Sequence, residues 1–129
     1  MPVAVRGSAL TNSIDRGYLY GAIACLVADV EARKRQLERG LEVGLRKLRD
    51  DGGNASEVWA LSDAVACIDD ALGAPTLGPI VEQHAGHGSA FDLSALLRDL
   101  GVTRWRDGTL NLSDKAPLAA VRRAIVHPP

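Results

Sequence analysis

The chain has 129 residues, enough for one domain or for a helical unit with a small appendage. Apolar residues make up 47% of it but aromatics only 4%, which favours helices packed through aliphatic side chains over an aromatic-rich sheet. A formal net charge of −1 excludes a global pull on nucleic acid or anionic membrane, so charge is informative only through its distribution.

Residues 1–12 read as an extended or disordered arm without the sustained apolar core of a signal peptide. The most apolar run, Gly17 to Ala28, has 12 residues. That falls short of the ~20 needed to span a bilayer, and Asp29, Glu31, Arg33 and Lys34 close it off. The expectation is a soluble, cytoplasmic chain with no membrane partner.

A first helix is predicted from Ser13 to about Arg49, with Ile23, Leu26, Val30, Leu37, Leu41, Leu45 and Leu48 along one seam. Gly40 and Gly44 weaken it by about 1 kcal/mol each relative to alanine, which marks a place for a bend. DDGGN is a stop signal, and a second helix is predicted from about Ala55 to Leu72. It ends at Gly73, with Pro75 beyond, and its seam is Val58, Leu61, Val65, Ile68 and Leu72. A short loop between two amphipathic helices makes an antiparallel hairpin.

Charge supports that pairing. From Arg33 to Arg49 there are seven basic residues against Glu38 and Glu42, whereas Asp50 to Glu82 holds seven carboxylates and no Lys or Arg. Laid side by side, the two helices set opposite charges along the seam, which selects orientation more than it adds stability. A turn centred near Gly53 also sets Cys67 opposite Arg39, 14 residues and ~21 Å of helix from Cys25, beyond disulfide reach.

Residues 73–90, GAPTLGPIVEQHAGHGSA, read as a Gly/Pro connector with one helical turn from Pro79 to His84. FDLSALLRDLG then predicts a short helix with Leu93, Leu96, Leu97 and Leu100 inward and Gly101 at its end. VTRWRDGTLNL predicts a β-hairpin turning at Asp107-Gly108. SDKAPLAAVRRAIV is a last helix with Pro117 in its first turn and Leu118, Val121 and Ile125 inward. The fold class is therefore mainly α, a helical hairpin (about 13–49 and 55–72) followed by a small helix–β-hairpin–helix unit over 91–127.

No nucleophile elbow, phosphate loop or dinucleotide fingerprint is visible, so no catalytic residue and no cofactor are assigned. Asp69 and Asp70 are adjacent on a helix, point about 100° apart and do not converge on one atom. His84 and His87, near Glu82, are weak candidates for a shared metal ion, although Gly86 and Gly88 make a solvated loop the simpler reading.

Tyr18, Leu19, Tyr20, Ile23 and Leu26 leave the helix start apolar on every side, with Gly17 and Gly21 permitting close approach. A two-helix hairpin cannot cover that surface, so either the C-terminal unit or another chain must. The leading expectation is a non-enzymatic helical interaction or regulatory module that binds another protein, or itself as a homo-oligomer, through this helix. The alternative is a small nucleic-acid-binding regulator using Arg33, Lys34, Arg35, Arg104 and Arg106. Its C-terminal helix and Arg-Trp-Arg hairpin loosely resemble the reading helix and wing of winged-helix domains. Asp92 and Asp99 on that helix are poor chemistry for phosphates.

Overall fold

The computed structural model describes residues 13–53, 59–85 and 92–127, with the side chains of 13–19, 84 and 85 excepted. Among these residues the chain is mainly helical, with one two-stranded antiparallel sheet near the C-terminus. The elements are α1 (Ser13–Arg35), α2 (Leu41–Asp50), α3 (Leu61–Leu72), α4 (Leu77–Ala85), α5 (Leu93–Asp99), β1 (Val102–Arg104), β2 (Leu110–Leu112) and α6 (Ala119–Val126). Contacts divide the chain into two compact units, Ala24–Ser89 and Met1–Ile23 with Ala90–Pro129, and the division falls inside α1.

In the first of these units the long helix expected from Ser13 to Arg49 is two helices, broken over 36–40. A knot of charged groups makes the break. The Arg33 guanidinium lies 3.2 Å from the Asp29 carboxylate and 3.1 Å from that of Glu42, and donates to the Leu37 carbonyl at 2.9 Å. Asp29 also accepts the Leu41 amide at 2.6 Å, and Glu42 accepts the Gly40 amide at 3.3 Å. Carbonyls at the end of one helix and amides at the start of the next are thereby satisfied by side chains rather than by a continuous ladder. Gly40 is required at the centre, because a Cβ there would lie 2.2 Å from Asp29 Oδ1.

The restart at Leu41 resets the helical phase. Leu41 and Gly44 face inward, while Leu37 and Leu45, both expected in the seam, are exposed. α3 begins later than Ala55: the Ala60 carbonyl accepts the Asp63 and Ala64 amides, and the helix closes at Gly73 in the left-handed conformation (φ 79°) as expected. Val65 and Ile68 are buried, Leu61 is exposed, and Val58 lies outside the described residues.

α2 and α3 run antiparallel: Arg39 reaches the Ala71 carbonyl, Gly44 abuts Ile68, and Asp51 meets Cys67. The closest approach is at Gly44, where a Cβ would lie 2.5 Å from Ile68 Cγ2. Cys67 therefore faces Asp51 rather than Arg39, because α3 starts at Leu61 rather than at about Ala55 and the pairing with α2 shifts accordingly. Both cysteines are free thiols. The expected charge pairing across the seam is not what joins these helices. Among the described residues every ion pair of this unit lies within residues 29–51, and the carboxylates of α3 form none. Packing at Gly44 and the Arg39 hydrogen bond hold the pair instead.

The segment read as a connector contains a nine-residue helix, α4, where one turn was expected. Its start is fixed from a distance: Asp69 on α3 accepts the Leu77 amide at 2.7 Å and the Gly78 amide at 2.9 Å. Pro79 fits the first turn, where its missing N–H costs nothing, and Leu77 and Ile80 are buried. Asp69 is thus a remote helix cap. Asp69→Ala is expected to lower stability by about 1–2 kcal/mol, the cost of losing an N-terminal cap, and urea denaturation measures it. Asp69→Asn, which keeps one acceptor, should lose less.

In the C-terminal unit Asp92 caps α5 by accepting the Ala95 amide at 3.0 Å, and Leu100 is buried. Gly101 turns the chain at φ 84°, and a Cβ there would lie 2.3 Å from the Ser113 carbonyl oxygen. β1 and β2 pair in the register Val102–Leu112, Thr103–Asn111 and Arg104–Leu110. Gly108 (φ 92°) completes a turn in which its amide bonds the Trp105 carbonyl and the Trp105 amide bonds that of Thr109. Arg122 of α6 donates to the carbonyls of Leu100 (2.9 Å) and Ser113 (3.0 Å) and to the Asp114 carboxylate. Those bonds tie α5, the hairpin and α6 together over a small core of Leu100, Ala119 and Val121. The predicted helix–hairpin–helix order is present, with α6 beginning at Ala119, after Pro117.

Candidate interaction surface

Alternation along a strand sends successive side chains to opposite sides of a sheet. In this register Val102, Arg104, Leu110 and Leu112 share one face of the hairpin, and Thr103 and Asn111 share the other. The polar face is internally satisfied: Asn111 Nδ2 donates to Thr103 Oγ1 at 3.3 Å. The apolar face is open to solvent. Leu110 is 63% exposed, Leu112 60% and Trp105, at the turn, 61%. Leu110 and Leu112 thus form an exposed apolar pair on one face, while Trp105, bonded to Thr109 and one residue beyond Arg104, stands at the turn on the Thr103 side by the same alternation.

Charge around the patch is uneven. Arg104 and Arg106 flank Trp105, are exposed, and form no ion pair among the described residues. Asp107 turns inward to accept the Thr109 amide at 2.9 Å, and this backbone hydrogen bond, aided by the Thr109 hydroxyl, holds its carboxyl below the usual carboxylate range. From Leu110 to Leu112 there is no charge.

The residues singled out from the sequence fall elsewhere in part. On α1, Tyr20 is 41% exposed and Ile23 and Leu26 are half-buried, while the side chains of Tyr18 and Leu19 lie outside the described residues. The first three residues of the basic run differ in their surroundings. Arg33 is 5% exposed and turned into the α1–α2 corner, Lys34 pairs with Glu31 at 2.9 Å, and Arg35 donates to the Thr76 hydroxyl. Arg35 and Arg39 border a cavity of about 510 Å³ whose wall includes Ala32, Ala71 and Leu72.

The His84 side chain and all of His87 lie outside the described residues. Among the described residues no group of three or more His, Cys, Asp or Glu is placed to hold a metal ion. The Cys67 thiol is pushed up by desolvation and by its hydrogen bond to Asp51, which favours the neutral form over a nucleophilic thiolate. Among the described residues no helix is long and apolar enough to cross a membrane.

Leu110 and Leu112 were missed as site residues. Their signal is present in the chain: Leu-Asn-Leu opposite Val-Thr-Arg puts every apolar side chain of the two strands on one face. No protein-family model matches the chain, nor does any curated protein or any solved structure.

Proposed function

We propose that this chain is a non-enzymatic protein–protein interaction module that docks through the apolar face of its C-terminal hairpin. The observation that carries this reading is the joint exposure of Leu110 and Leu112 on one face of the hairpin, with Trp105 exposed at its turn. Removing such surface from water is worth roughly 25 cal/mol per Å² of apolar area, and tryptophan is among the residues that most often anchor an interface.

The double variant Leu110→Asp/Leu112→Asp tests the reading. Both side chains are mostly solvent-exposed, so stability should change by no more than about 0.5 kcal/mol. In native-cell extract the wild-type chain is expected to elute in a complex larger than itself, and the variant as the free chain with an unchanged melting temperature. A complex that survives both substitutions contradicts docking at the hairpin.

Nucleic-acid binding is the second reading, supported by Arg104 and Arg106 beside the exposed Trp105, a cationic and stacking pair of chemistries. It is weakened by the burial of Arg33. It predicts salt-sensitive binding to generic single strands that is lost in Arg104→Ala/Arg106→Ala.

A further inference from the structure

We propose that the cavity bordered by the ends of α1 and α3 binds a small organic phosphate, a dianionic head on a compact apolar body. The site shares no residue with the hairpin, so its occupancy is independent of docking there.

At about 510 Å³ the cavity has the size of a small-molecule site. Its wall carries two chemistries. Ala32, Ala71 and Leu72 give it an apolar side, and Arg35, Gln36 and Arg39 give it hydrogen-bond donors. Those three polar residues are exposed, so a ligand reaches them from solvent.

The two guanidiniums are anchored but not neutralised. Arg35 donates to the hydroxyl of Thr76, a buried residue whose hydroxyl in turn donates to the Ala74 carbonyl at 2.9 Å. Arg39 donates to the Ala71 carbonyl at 3.1 Å. Each anchor uses one terminal nitrogen, and the rest of the planar donor fork has no partner among the described residues. Neither arginine forms an ion pair there.

No carboxylate lines the cavity. Asp69 and Asp70 line a separate concavity that shares only Gly73 and Ala74 with it, and Asp69 is committed to the Leu77 and Gly78 amides. The C-terminal ends of α1 and α3 bring roughly half a negative charge each, against the full positive charges of Arg35 and Arg39. The surplus is positive, and a concave wall focuses it.

Guanidinium forks fit the paired oxygens of phosphate and carboxylate. A pair of them matches a dianion, which favours a phosphate monoester over a single carboxylate. A monoester also gathers both charges in one head, leaving its organic group for Ala32, Ala71 and Leu72.

Isothermal titration of the purified full chain with phenyl phosphate tests the site, with inorganic phosphate and benzoate as comparisons. Phenyl phosphate is expected to bind with a Kd below about 1 mM at low salt. Inorganic phosphate, lacking the apolar body, and benzoate, lacking the second charge, should bind severalfold more weakly. Arg35→Gln should weaken phenyl phosphate binding by at least about tenfold. Gln36→Glu keeps both arginines, changes an exposed position and sets a carboxylate on the wall, so it should do the same even if Arg35→Gln fails to fold. Arg46→Gln, an exposed arginine of α2 outside the wall, should change binding by less than about twofold. Absence of phenyl phosphate binding, binding indifferent to Gln36→Glu, or equal loss in Arg35→Gln and Arg46→Gln overturns the site. Benzoate binding as tightly as phenyl phosphate overturns the dianion.

Discussion

Arg33→Met is expected to destabilise the chain by about 3–5 kcal/mol, the range measured when one member of a buried ion pair is removed. Methionine fills most of the volume, so the loss is electrostatic rather than a cavity. Arg33 is 5% exposed, and its guanidinium is shared between two carboxylates and a carbonyl. Without it the Asp29 carboxylate, whose side chain is 15% exposed, keeps its bond to the Leu41 amide but loses its counter-charge. The Leu37 carbonyl loses its donor as well. Glu42 is more open to water and contributes less.

A second variant separates the arginine's role from the intrinsic worth of the cluster. Asp29→Asn combined with Arg33→Met, which keeps an acceptor for the Leu41 amide and leaves no charge stranded at position 29, should cost less than Arg33→Met alone. Urea denaturation of the single and double variants decides it. A single variant within about 1 kcal/mol of wild type would mean that the corner is held by something other than this knot.

Gly44→Ala is expected to lower stability by about 1–2 kcal/mol, against the direction of helix propensity. Propensity alone favours alanine in α2 by about 1 kcal/mol. The opposing term is steric. The new Cβ would sit 2.5 Å from Ile68 Cγ2 and 3.0 Å from Ile68 Cα, and the second contact is with backbone that a rotamer change cannot relieve. Overpacking of this kind costs about 1–3 kcal/mol and outweighs the propensity gain. Gly21→Ala is the matched control, since a Cβ there meets nothing within 4 Å. It should stabilise α1 by up to about 1 kcal/mol. Thermal unfolding of the two variants should therefore shift in opposite directions, and a stabilised Gly44→Ala would show that α2 and α3 do not touch there.

These two sites also mark where sequence reading succeeds and stops. Signals carried by a few adjacent residues were legible: Gly73 closing α3, Gly101 ending α5, and Asp107-Gly108 turning the hairpin. Each depends on local backbone conformation. The α1–α2 break was not legible, because Asp29, Arg33 and Glu42 sit at spacings that also suit a solvated helix face, and only folding shows them converging on Gly40. α4 was hidden for a related reason: its cap, Asp69, lies eight residues before Leu77 on another helix.

For the candidate surface, the residue types were visible but their exposure was not. Arg33 looked available and is buried, whereas Leu110 and Leu112, read only as part of a hairpin, face solvent.

The most direct test of docking at the hairpin is photo-crosslinking in the native cell from two positions one strand apart in facing. A photoreactive side chain at Leu110 lies on the apolar face and one at Thr103 on the polar face. The account predicts a crosslinked product, whether to a second copy or to another protein, from position 110 and none from position 103. Equal crosslinking from both positions, or none from 110, would contradict it.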